Sequence, residues 1–254
     1  MKILLSNDDG IYANGIATLH HALKKMAKLQ VIAPDRERSA AGHAITLTDP
    51  IKTFAVEKDG EPFGIAVGGT PADSIKLALC LLMKDNLPDL VVSGINLGSN
   101  TGISVLYSGT VSAASEAVIL GIPAIAISLC TFQDPHWETA KKVAAEIVTK
   151  VLKNPLPAGT LLNVNIPNLP YSELKGMKAA RMGRSRFVEK FTDHLDPRGN
   201  HYYWLDGELD LLDDSPDTDV RVVDSGYVAL TPIHIDLTAV NAMEHVRTWN
   251  EDYL

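Results

Sequence analysis

The chain has 254 residues, 46% of them apolar and 21% charged, with a formal net charge of −8; it is a globular composition, long enough to bury a substantial core as one large domain or one domain with an extension. The acidic balance argues against a general role on nucleic-acid backbones or anionic membranes, which would repel it, and no run approaches the ~18 apolar residues of a membrane span. A single lysine and three apolar residues before polar sequence are too few for a secretory core, and Cys80 and Cys130 sit in apolar contexts without C-x-x-C or zinc spacing, so both cysteines are expected to be buried and reduced and the protein cytoplasmic.

Along the first two-thirds, strand and helix signals alternate. Apolar runs predict strands at Ile3–Ser6, Leu29–Ala33, Phe63–Val67, Leu90–Ser93, Ala124–Ser128 and Leu161–Asn165, and helical periodicity predicts helices at Ile16–Lys28, Pro71–Met83, Val111–Leu120 and Trp137–Leu152. Thr70-Pro71-Ala72-Asp73 carries a complete helix start, with a threonine cap, a proline at the first helical position and an acid at the third. Leu90-Val91-Val92 and Ala124-Ile-Ala-Ile127 are continuously apolar rather than alternating, as parallel strands covered on both faces require. The expectation is a doubly wound α/β fold with a mostly parallel sheet over residues 1–170. Past Pro170 the pattern changes to a hairpin (Phe187–Phe191 with Tyr202–Leu205), an acidic stretch at Asp206–Asp219 that reads as a solvated loop, a strand at Tyr227–Ile233 and a last helix at Thr238–Trp249. Residues 171–254 thus read as an arm rather than a second compact domain, with apolar strands that need a neighbouring subunit to cover them.

Four loops follow strong strands, and in a parallel sheet all four emerge at one edge, where ligands bind. The first is Asn7-Asp8-Asp9-Gly10. Alone it reads as an ordinary Asp-Asp-Gly turn, but two adjacent carboxylates repel unless a cation neutralises them, and hard oxygen ligands favour Mg2+ or Mn2+. The second runs from Asp35 through Ser39 and Gly42 to His43; the third is Gly68-Gly69-Thr70; the fourth spans Ser93–Thr110 with Gly94, Asn96, Gly98, Gly102, Ser108 and Gly109. Glycines there expose backbone amides, and Ser108-Gly109-Thr110 opens a helix whose N-terminus suits a phosphate. Ser39 and Asn96 read singly as caps or turn formers, and functionally as neutral oxygens that complete a metal shell. His43, the only histidine in these loops, reads equally as a partly exposed loop residue or a substrate contact.

Taken together, Ile3–Gly10 with Gly15, Ala33-Pro-Asp-Arg-Glu-Arg-Ser39-Ala-Ala-Gly42, Gly68-Gly-Thr-Pro-Ala-Asp73, Val92-Ser-Gly-Ile-Asn96-Leu-Gly98 and Tyr107-Ser-Gly-Thr-Val111 resemble the SurE (survival protein E) family. Gly226-Tyr-Val228, Thr231-Pro232 and Asp236-Leu-Thr238 extend the resemblance towards the C-terminus. The family's members are metal-dependent 5'/3'-nucleotidases, some also acting on short polyphosphate. The resemblance implies a Rossmann-like core, an arm exchanged between subunits in a homodimer or homotetramer, and one divalent ion per subunit, Mn2+ or Mg2+, at Asp8, Asp9, Ser39 and Asn96. Asp8, Asp9 and Asn96 become the expected catalytic residues; Asn7, Gly42, His43, Ser108, Gly109 and Thr110 become the expected phosphate and substrate contacts. The expected substrate is a nucleoside monophosphate, with no nucleic-acid polymer and no membrane as partner. A receiver-type signalling domain needs a phosphorylatable aspartate and a lysine where this chain has Gly68-Gly69-Thr70 and Ser93-Gly94-Ile95-Asn96, and a haloacid-dehalogenase-type phosphatase needs D-x-D rather than adjacent acids. A nucleotide-binding module without turnover shares every motif.

Overall fold

The computed structural model describes residues 1–249. Its chain order begins β1 (Lys2–Ser6), α1 (Asn14–Leu23), β2 (Lys28–Pro34), β3 (Thr53–Lys58), β4 (Glu61–Val67), α2 (Pro71–Leu77), β5 (Leu90–Leu97), α3 (Gly109–Ile119), β6 (Ala124–Cys130), α4 (Trp137–Lys153) and β7 (Thr160–Pro167). It continues with β8 (Met177–Ala179), β9 (Ser185–Leu195), β10 (His201–Leu211), α5 (Asp219–Asp224), β11 (Val228–His234) and α6 (Val240–Thr248). Nine strands form one sheet in the order β3-β4-β2-β1-β5-β6-β7-β11-β8, and β9 and β10 form a separate two-stranded sheet. From β4 to β7 the pairing is parallel; β3 joins β4 and β11 joins β7 antiparallel, and β8 lies parallel to β11.

The doubly wound reading therefore holds, and the two-residue period of the strands explains its layers. Ile3, Leu5, Val31, Ala33, Leu90 and Val92 face α1 and α4 in one core. The intervening Leu4, Ile32 and Val91 face α2 and α3 in the other. Chain progression runs outward from β1 through β2 to β4, then restarts at β5 and runs the other way through β6 to β7. The reversal places the topological switch point between the ends of β1 and β5, where sheets of this type bind ligands.

Several elements differ from the sequence reading. Helix α1 stops at Leu23 rather than Lys28, because Lys28 is already a strand residue whose amide bonds to Met1 O at 3.1 Å. Strand β3 was not anticipated; it is a mostly exposed edge strand, joined to β4 through Asp59-Gly60 with φ of 55° and 79°, the left-handed pair that a tight hairpin demands. The helix predicted to Met83 changes after Leu77 into a π-helical turn over Ala78–Leu82, which turns Cys80 off the buried stripe; that cysteine is exposed, not buried as expected. Both hairpin strands run 11 residues, so Asp206–Leu211 lie in β10 rather than in a solvated loop. Asp219, at the end of that acidic stretch, is fully buried: its carboxylate accepts the amides of Gly102 at 2.9 Å and Gly183 at 3.0 Å. No helix among the described residues is long and apolar enough to cross a membrane.

Candidate active site

Strand β1 delivers its last residues to the switch point. Asn7 is fully buried and donates Nδ2–H to Gly10 O at 2.9 Å, closing the turn that presents Asp8 and Asp9; its Oδ1 is buried without a partner. Asn7, expected as a substrate contact, thus shapes the loop that carries the two acids. Asp8 is buried, and the Thr110 hydroxyl donates to its Oδ1. Burial pushes its carboxyl above the usual range, with hydroxyl and backbone hydrogen bonds from Thr110 working against the shift. Asp9 is less enclosed and is pushed up to about 7, first by burial and then by the charges of Asp8 and Glu37. Among the described residues no basic side chain pairs with either acid.

Strand β5 is longer than its apolar run. It continues through Ser93-Gly94-Ile95-Asn96 to Leu97, with its register against β6 shifting between Ser93 and Asn96. Ser6 of β1 pairs with Ser93 of β5, so Asp8 and Asn96 leave adjacent strands at the same edge. Asn96 is nearly buried and donates Nδ2–H to Gly98 O at 2.8 Å, which leaves its Oδ1 as the acceptor end.

Helix α3 completes this wall. Ser108 is its N-cap and accepts the Val111 amide at 3.1 Å. Gly109 lies so close to Asp8 that an added Cβ would sit 2.7 Å from Asp8 Cβ and 2.9 Å from Oδ2. The positive end of the α3 dipole thus abuts a buried carboxylate, as the electrostatics of a helix N-terminus favour. Thr110, expected as a phosphate contact, is engaged by Asp8.

The loop after β2 is placed less directly. Arg38 N donates to Asp8 O at 2.8 Å, and Gly42 N donates to Tyr107 O at 3.1 Å. The Gly42 amide, expected to face an anion, is thus tied to the segment that leads into α3. Ser39 is exposed and donates to Glu37 Oε1 at 2.7 Å. His43 does not face open solvent alone: its ring bonds through Nε2 to Glu116 Oε2 at 2.8 Å. Glu37 and Glu116 are the residues the sequence did not single out. An acid in a solvated Arg-Glu-Arg run and an acid in mid-helix carry no distinctive pattern.

The donor set decides what cation fits. Among the described residues no group of three or more His, Cys, Asp or Glu side chains is arranged to hold a metal. A cation here would meet two carboxylates, and the neutral oxygens of Asn96 and Ser39 are the ones within the same loops. All four are hard oxygens, which suit Mg2+ or Mn2+ rather than zinc. The two raised carboxyls without a basic partner fit a site whose positive charge comes from a bound ion.

The comparisons with known proteins agree in detail. A family model described as Survival protein SurE matches residues 3–189. The chain is 46% identical over 250 residues to the 5'-nucleotidase SurE of Syntrophobacter fumaroxidans, covering 98% of this chain and 100% of that relative. It is 47% identical over 250 residues to the 5'/3'-nucleotidase SurE of Salmonella arizonae, covering 98% and 96%. The crystal structure of the SurE protein from Aquifex aeolicus superimposes with a TM-score of 0.84 at 41% identity, covering 98% of this chain and 100% of that one.

Proposed function

This chain belongs to the SurE family, and from that premise we propose that it hydrolyses nucleoside 5'- and 3'-monophosphates to nucleoside and phosphate. It is an enzyme, a phosphomonoesterase of the nucleotidase class. The observation that carries this reading is the pair of raised carboxylates Asp8 and Asp9 at the switch point, on a chain nearly coextensive with relatives named as nucleotidases. Asp8, Asp9, Asn96 and Ser39 would hold one divalent cation, Mn2+ or Mg2+. When bound, it would supply positive charge to the phosphoryl group and lower the pKa of a water.

The chain's own groups divide the remaining work. Asp8 is fixed by Thr110 and Gly109 and acts as an oriented acceptor, not a mobile base. Asp9 has the freer face and takes the proton of the attacking water. The amide of Gly109 and the hydroxyl of Ser108, at the α3 N-terminus, would donate to the equatorial phosphoryl oxygens as these gather charge. Exposed Tyr107, 59% accessible beside Ser108, and Phe132, 82% accessible and lying against Gly98, offer rings on which a base can stack.

The working form is a homo-oligomer. On one face of the β9–β10 hairpin, Phe187 pairs with Leu209 and Phe191 with Leu205, and all four are exposed. A two-stranded ribbon with a bare apolar face needs a partner surface, and a second copy of the chain supplies it. A cytoplasmic setting belongs to the same reading, consistent with its two free cysteines.

The test is phosphate release from 5'-AMP, 3'-AMP and a short polyphosphate, each with Mn2+, Mg2+ or EDTA. Release from the monophosphates that EDTA abolishes is the expected result. No release under any condition would favour a binding module without turnover.

A further inference from the structure

Glu116 is a buried charge that the reaction does not use. It lies on the core side of α3 among Ala113, Ala114 and Ala117, and is 3% exposed. A buried carboxylate is costly unless it is paired and hydrogen-bonded. Here Lys76 Nζ donates to Oε1 at 2.5 Å, and His43 Nε2 bonds to Oε2 at 2.8 Å. These two bonds hold the Glu116 carboxyl below its ordinary range despite burial, with the His43 bond the larger cause. Lys76 on α2 is sufficient to neutralise the charge. His43 adds something else, since it reaches in from the segment that follows Ser39.

The same segment is fastened at further points. Gly42 N bonds to Tyr107 O at 3.1 Å, and Thr70 Oγ1 donates to Ala44 O at 2.7 Å. Thr46 donates its amide to Asp73 Oδ1 at 2.9 Å and its hydroxyl to Asp73 Oδ2 at 2.6 Å. On the other side Arg38 N is anchored on Asp8 O at 2.8 Å. Only Ser39, Ala40 and Ala41 span the gap between the Arg38 and Gly42 anchors, with Ala40 in the left-handed region at φ 55°. The position of the Ser39 hydroxyl is therefore set by the strap downstream of it. The strap's charge-assisted bonds are those of Thr46 to Asp73 and of His43 to Glu116, and His43–Glu116 is the one nearer to Ser39 in the chain.

We infer that Glu116 is a positioning residue for the candidate cation site. Through His43 it fixes the Ser39–Gly42 loop beside Asp8, and Lys76 keeps the carboxylate charged for that purpose. The inference rests on the cation site described under the proposed function. Glu116 does not touch substrate or cation.

The experiment is a calorimetric titration of Mn2+ into the metal-stripped full chain, with thermal melts of the same samples without Mn2+. Outer-shell partners of metal ligands typically govern about 10- to 100-fold in metal affinity, so Glu116→Ala and His43→Ala are each expected to raise the Kd for Mn2+ by about tenfold or more. The double variant should be little worse than either single one, because both break the same link. Glu116→Gln, which keeps a neutral acceptor for one partner but loses the charge, should recover part of the affinity. His43→Ala carries the test by itself if Glu116→Ala fails to fold, because His43 is on a partly exposed loop. A Kd unchanged in both variants, whatever happens to the melting temperature, would overturn the inference and leave Glu116 a packing residue. Absence of Mn2+ binding by the unaltered chain would overturn the cation site itself, and this inference with it.

Discussion

At the scale of single residues, Asp9 has a consequence that can be measured without substrate. Its carboxyl is raised from 3.8 to about 7, so the folded chain keeps a proton that the unfolded chain has released across that interval. Stability from this source is present at low pH and lost as pH rises through the interval. Asp8 shifts in the same direction, while Asp73 and Glu116, held low by their hydrogen bonds, lose their contribution only on the acid side of the window. Without divalent cations the melting temperature should fall from about pH 5 to about pH 8, and saturating Mn2+ should restore it at the upper end while adding little at the lower. A cation-free melting temperature that stays level or climbs over that range would contradict the assignment. The Asp-Asp pair was legible in the sequence because adjacency itself implies repulsion. Glu116 was not, because its partners His43 and Lys76 lie 73 and 40 residues away, and only the fold brings them together.

At the scale of elements, the site depends on how closely the α3 N-terminus meets the end of β1. Gly109 is the residue that permits it, and Gly109→Ala would drive a methyl into Asp8 at 2.7 Å. Overpacking of this kind costs about 1–3 kcal/mol; melting curves should show that loss, and Mn2+ affinity should drop with it because Asp8 must shift. A variant that binds Mn2+ as before would mean that α3 does not set the position of Asp8. The parallel strands were readable because Leu90-Val91-Val92 and Ala124-Ile-Ala-Ile127 have no polar face. The far end of β5 was not, because Ser93, Gly94 and Asn96 carry loop signals although all three are buried in the sheet. Polar residues at the ligand end of a strand obey the site instead of the core, so hydrophobic periodicity fails where function begins. Buried Asp219 was hidden for a similar reason: in an acidic run, one carboxylate that caps two backbone amides looks like the others.

At the scale of the whole molecule, the sheet brings all four candidate loops to one edge, and the hairpin is rooted beside them. Ser185, at the base of β9, accepts the Ile103 amide at 3.0 Å, and Asp219 ties Gly102 to Gly183. The arm is thus continuous with the loop that leads into α3, and its apolar face is bare. Sedimentation of the full chain should give a mass of two or more subunits, and Phe191→Glu with Leu205→Glu should reduce it; a monomeric mass before substitution would remove the oligomer from the account. The central claim is that hydrolysis depends on a cation held by the paired carboxylates at the end of β1. It is tested most directly by Mn2+-dependent phosphate release from 5'-AMP, measured side by side for the unaltered chain and Asp9→Asn. The account predicts release by the former that EDTA abolishes, and a loss of at least about two orders of magnitude in the latter, where a ligand and proton acceptor is removed while the shape is kept. Equal release by both would place the chemistry elsewhere in the molecule.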